Sequence, residues 1–118
     1  MSSRDLGVWV TVDGKVAAPG IGAVIADTGA LAAGDYDLEI QLACQDTNAV
    51  GKGMVVEHRN AANGATLHNL GGCAAPDSNT SKLTRYTLLL NERIRVIAGT
   101  AAGAAASSYV ATIRTRTV

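Results

Sequence analysis

The chain has 118 residues, 17% of them charged, with ten basic side chains set against ten acidic ones. That length makes one domain able to bury roughly 65% of its unfolded surface, so no disulfide or metal staple is needed to fold it. A charge content below the usual figure of about 25%, with no net sign, excludes the basic field that nucleic acid demands; it also protects poorly against self-association, so much of the surface is expected to be covered by other copies or by a partner.

Residues 1–6 read as a short polar arm, and 7–118 as a single β-sandwich domain. The opening Met-Ser-Ser-Arg-Asp-Leu lacks the basic and apolar regions of a secretory signal, which points to synthesis in the cytosol. No apolar run reaches the roughly 20 residues that span a bilayer, so no membrane partner is expected. From Gly7 to Val12 the residues alternate, Val8, Val10 and Val12 against Trp9 and Thr11. Asp13-Gly14 is a tight-turn pair, with Lys15 to Ala18 returning as a partner strand. Pro19-Gly20 ends that strand, and Ile21 to Ala26 forms a short apolar one, broken by Asp27-Thr28-Gly29.

The clearest strand runs from Gly34 to Asp46. Tyr36, Leu38, Ile40, Leu42 and Cys44 fall on one side at a period of two, with Asp37, Glu39 and Gln41 on the other, because successive side chains leave opposite faces of a pleat. After a loop through Gly51 and Gly53, Met54, Val56 and His58 alternate with Val55, Glu57 and Arg59. Asn63-Gly64 signals a hairpin with Thr66 to Leu70 as its return. The Gly-, Ser- and Asn-rich stretch 71–82 reads as a surface loop. Leu83 to Leu90 follows with Tyr86, Leu88 and Leu90 aligned, then Arg93 to Ala98 with Ile94, Val96 and Ala98 inward. Residues 99–108 allow at most a brief helical turn. Tyr109, Ala111 and Ile113 face inward on the closing strand, opposed by Thr112, Arg114 and Arg116.

Eight or nine short strands without a long helix make an all-β protein. The long loops at 46–53 and 71–82 favour crossings between two sheets, hence an antiparallel jelly-roll sandwich over other sandwiches or barrels. With no Phe, the core is one of Val, Ile, Leu and Ala.

Three segments resemble a known architecture. Gly34-Asp-Tyr-Asp-Leu-Glu-Ile is similar to a strand of the jelly rolls of the tumour-necrosis-factor and complement-C1q type. Leu89-Leu-Asn-Glu-Arg-Ile-Arg-Val resembles their late hairpin, and Tyr109 to Arg116 their closing strand. Small jelly rolls of this kind serve as trimeric decoration, or cement, proteins on tailed-phage heads. The resemblance implies a non-enzymatic homotrimer on the outside of a virion, made in the host cytoplasm and seated on a major capsid protein or similar shell. The terminal arm, which carries Arg4 and Asp5, would grip that shell.

Other chemistry finds thin support. His58 and His68 are the only histidines, and neither a His-x-His nor a Cys-x-x-Cys pair accompanies them. Cys44 sits on an apolar face as a small buried thiol, and Cys73 lies in the glycine-rich stretch; a disulfide between them is geometrically possible but unsupported in a chain expected to be made and kept in the cytosol, and two cysteines make no disulfide framework. The glycines at 20–22 and 51–53 lack phosphate-loop spacing, Asn79-Thr-Ser is a sequon without consequence in a chain that is not secreted, and Asp35, Asp37 and Asp46 lack a calcium-loop pattern. No catalytic, cofactor-binding or metal-ligating set is assigned, and no cofactor is expected.

The candidate partner-binding residues are Arg4, Asp5, Trp9, Arg93, Arg95, Arg114 and Arg116. If their strands are neighbours, the last four form one basic patch; the competing reading is a wet face balanced by Asp37, Glu39 or Glu57. A lectin-like alternative would hold sugar on Trp9, Tyr36 or Tyr109, and a third reading is a small metal-dependent β-barrel enzyme using both histidines.

Overall fold

The computed structural model describes residues 7–17, 20–44, 53–61, 64–74, 78–99 and 108–118. Over these the chain forms eight strands: β1 (Val10–Ala17), β2 (Val24–Asp27), β3 (Gly34–Cys44), β4 (Gly53–Arg59), β5 (Thr66–Ala74), β6 (Ser78–Leu88), β7 (Arg93–Ala98) and β8 (Ser108–Thr117). They build two four-stranded sheets in the orders β1-β8-β3-β6 and β2-β7-β4-β5, with every pairing antiparallel. Each connection changes sheet except the β4–β5 hairpin, which is the path of a jelly roll.

The two-residue period fixes the core. Tyr36, Leu38, Ile40, Leu42 and Cys44 of β3 and Tyr109, Ala111 and Ile113 of β8 face Met54 and Val56 of β4 and Ile94, Val96 and Ala98 of β7, all buried. Each fully buried Leu or Ile contributes about 1.5–3 kcal/mol relative to exposure.

Four local expectations are corrected. Asp13-Gly14 is no turn: β1 runs straight through it, pairing Asp13 with Thr112 and Gly14 with Ala111. Glycine stands there because a Cβ would lie 1.8 Å from the Ile25 carbonyl oxygen, where the two sheets close on each other. Ile21 lies in a turn before β2. The supposed loop 71–82 is largely the end of β5 and the start of β6. These are outer strands of their sheets, exposed enough for Ser, Asn, Thr and Gly to be accommodated without a core face, and Gly72 lets its backbone approach the Met54 carbonyl. Finally, Leu89 to Val96 is no hairpin: Leu89 to Glu92 cross from β6 to β7, which belong to different sheets.

The expected hairpin is present between β4 and β5, where Arg59 faces Thr66, and Asn60 accepts the Gly64 N–H and donates to the Ala65 carbonyl; Asn63 itself lies outside the described residues. The helical turn considered near 99–108 falls, apart from its ends, outside the described residues.

Candidate interaction end of the sandwich

The strand register gathers one end of the sandwich. Val10 faces Thr115, Tyr36 faces Thr117, Gly34 faces Leu88, and Arg59 faces both Thr66 and Arg93. The start of β1, the turn between β6 and β7 and the start of β5 therefore lie together. Five of the seven exposed large apolar side chains among the described residues are here: Val8 (86% exposed), Val10 (59%), Leu67 (41%), Leu89 (66%) and Leu90 (65%). Val10 shares the inward face with buried Thr115, yet it stays 59% exposed, and among the described residues none covers it.

A polar network underpins this end. Glu92 is buried in the turn, where its Oε1 accepts the Leu89 N–H at 2.8 Å and contacts His58 Nε2 at 2.8 Å. A carboxylate can only accept, so Nε2 carries the proton. On the far side of the ring, Nδ1 meets the Tyr86 hydroxyl at 2.7 Å, which links the second sheet to the first. The Leu89 N–H holds the Glu92 carboxyl below the ordinary range, with His58 adding to the effect. Burial, followed by the Glu92 charge, pushes the Tyr86 hydroxyl up, so that hydroxyl stays protonated. The backbone locks the turn as well: Asn91 takes φ +65° and donates its N–H to the Leu31 carbonyl, and Leu31 N–H returns a bond to Glu92. Leu89 and Leu90 are thus presented outward on a rigid turn.

The arginines do not make one patch, because β7 and β8 lie in different sheets. On the outer face of the first sheet, Arg114 and Arg116 stack on the Trp9 ring at 4.6 and 4.5 Å from its centroid. Arg116 donates to Asp37 at 2.7 Å and Arg114 to Glu39 at 3.4 Å. The Arg116 hydrogen bond keeps the Asp37 carboxyl below its usual value. On the outer face of the second sheet Arg95 reaches Glu57 at 3.0 Å and Arg93 reaches Asp27 at 3.5 Å. Burial pushes the Glu57 carboxyl up, but bonds from Thr66 and Arg95 and the charge of Arg59 outweigh it and leave it lowered. All three acidic partners of the balanced-face reading are engaged, with Asp27 as a fourth that it did not name. Arg4 and Asp5 lie outside the described residues.

Other candidates are redistributed too. Tyr36 and Tyr109 are core residues, Tyr36 bonding the Ala32 carbonyl, so neither offers a ring to a sugar. His58 and His68 do face each other across β4 and β5, with ring centroids 5.7 Å apart. Both ring nitrogens of His58 are spent on Glu92 and Tyr86, and no group of three metal-ligating side chains assembles among the described residues. Asp35 accepts from Thr87, while Asp46 lies outside the described residues.

Sequence reasoning missed Glu92 as an anchor and Leu89–Leu90 as an exposed pair. The run Leu88-Leu89-Leu90 directly before Asn-Glu was the available signal, since a strand alternating its faces cannot bury all three.

No family model and no curated protein matches the chain. Among solved structures it is similar to a subunit of the disulfide-linked endospore appendage pili of Bacillus, with TM-score 0.61 and 19% identity over 99% of this chain and 91% of that one. It is also similar to a chain of the acid-stable capsid of Helicobacter pylori bacteriophage KHP30, with TM-score 0.62 and 11% identity over 92% and 86%. A third likeness is to the C-terminal carbohydrate-binding module of LamC, a laminarinase of Zobellia galactanivorans, with TM-score 0.52 and 11% identity over 94% and 100%. At such identities these likenesses carry the fold, a two-sheet sandwich used by structural proteins and by binding modules.

Proposed function

We propose that this chain is a non-enzymatic structural protein: a homotrimer that decorates and stabilises the exterior of a virus or phage capsid, seated on the major capsid protein. The observation that carries the reading is the uncovered apolar end, where Val8, Val10, Leu67, Leu89 and Leu90 are exposed around a turn held rigid from below. Scattered surface hydrophobes need no explanation, but most of a small protein's exposed apolar side chains at one end mark a surface that is covered in use. The outer faces support the same reading. Arg95, Arg114 and Arg116 are paired in place with Glu57, Glu39 and Asp37, which is compatible with close lateral packing of copies.

The test is the mass of the full chain in solution by size-exclusion chromatography with light scattering. Three chains of 12.0 kDa each are expected in one particle at micromolar concentration. A strict monomer at the same concentration rejects the oligomer on which the proposal rests.

A further inference from the structure

At the opposite end of the sandwich the two cysteines arrive from different sheets. Cys44 closes β3 opposite buried Tyr109, and Cys73 lies near the end of β5 opposite buried Met54, so both thiols face the interior. Their sulfurs are 3.1 Å apart. Cys44 is buried and Cys73 is half-buried, so reagents reach the pair from the Cys73 side. A disulfide needs sulfurs about 2.05 Å apart on converging side chains. The remaining gap of about 1 Å is within the reach of side-chain rotation.

We propose that Cys44 and Cys73 are an oxidation site that forms an intrachain disulfide joining the two sheets. The oxidant is a low-molecular-weight disulfide acting by thiol exchange. The Cys73 sulfur, having given up its proton, attacks one sulfur of that reagent; the reagent's S–S bond breaks, one small thiol leaves, and a mixed disulfide remains on Cys73. Cys44 then loses its proton and attacks the Cys73 sulfur, expelling the second small thiol. Two protein thiols are oxidised, one small disulfide is reduced to two thiols, and those thiols carry away both protons. The bond closes a loop of roughly 30 residues that includes all of β4, so the oxidised chain is the more stable form. This inference stands independently of the shell reading.

The experiment treats the full chain with oxidised glutathione, then denatures and alkylates it for intact-mass measurement. The expected product is a single chain about 2 Da lighter that takes up no alkylating agent, because the chain has two cysteines only. Its melting temperature is expected to exceed that of the reduced chain by on the order of 10 °C. Cys44→Ser is expected to stop at the glutathione adduct on Cys73. Two alkylated thiols after treatment, a stable adduct on the unmodified sequence, or disulfide-linked dimers would each overturn the proposal, and none of these readings requires a variant to fold.

Discussion

His58 and Glu92 meet at 2.8 Å beneath the turn that exposes Leu89 and Leu90, and both side chains are buried. The carboxylate that accepts from His58 also accepts the Leu89 N–H, so one residue satisfies a buried ring donor and a part-buried backbone donor and fixes the turn. Glu92→Ala leaves the buried His58 donor without an acceptor, at about 1–3 kcal/mol, and leaves the Leu89 N–H to water. The expected loss is about 1–3 kcal/mol, read as a lower urea midpoint with an unchanged slope. Glu92→Gln keeps one carbonyl acceptor and should lose less than Glu92→Ala. A Glu92→Ala midpoint equal to that of the parent chain would show that the network contributes nothing.

Gly14 is fixed by contact with the second sheet. Its added Cβ would sit 1.8 Å from a backbone oxygen that no rotamer change can move away. Gly14→Ala must therefore push β1 and β2 apart, and overpacking of this kind costs about 1–3 kcal/mol or more. Gly20→Ala is the control, because nothing lies within 4 Å of a Cβ there. Thermal melting should separate the two variants clearly; equal melting temperatures would contradict the close crossing at Gly14.

These two sites show what the sequence carried. Strand faces were legible because burial imposes a strict period of two: Tyr36 to Cys44, Ile94 to Ala98 and Tyr109 to Ile113 all face inward as the alternation requires. The sheet crossings at 46–53 and 71–82 were legible too, although every described residue of the second belongs to a strand. What misled was glycine. Asp13-Gly14 carries turn chemistry, and only the approach of Ile25 from a distant part of the chain selects the straight strand. Gly71 and Gly72 carry loop chemistry, and Met54 decides otherwise for Gly72. The interaction end was illegible for a similar reason. Val8 and Val10 alternate like core residues, and their exposure follows from their position in the assembled sandwich, which a period cannot encode.

Acid should weaken the fold through three carboxylates. The Arg116 bond lowers Asp37, the Leu89 N–H lowers Glu92, and at Glu57 the Thr66, Arg95 and Arg59 contacts overcome a burial that acts the other way. The ordinary values are 3.8 for Asp37 and 4.5 for the two glutamates. Because each folded value lies below its unfolded one, the unfolded chain takes up protons first as pH falls. Their stabilisation is fully present above about pH 5 and is lost as pH drops through the folded values. Urea midpoints measured at descending pH should fall across that window, and Glu57→Gln should flatten the slope. A midpoint constant from pH 5 to about pH 3 contradicts the assignment.

Leu89 and Leu90 provide the test that separates association from folding. Both side chains are about two-thirds exposed, so replacing them with Ser removes little buried area from the single chain. Exposed substitutions away from caps and networks usually change stability by about 0.5 kcal/mol or less. The pair lies on a turn whose bonds come from backbone groups and Glu92, none of which the substitution touches. Leu89→Ser with Leu90→Ser is therefore expected to keep the β-sheet circular dichroism spectrum and cooperative unfolding of a folded chain while lowering the particle mass in light scattering toward one chain. Ile21→Ser, at the opposite end and more exposed still, should leave the particle mass unchanged. If Ile21→Ser dissociates the particle and the leucine pair does not, the contacts between copies run through the end that carries the cysteines, and the apolar end described here is not the self-association surface.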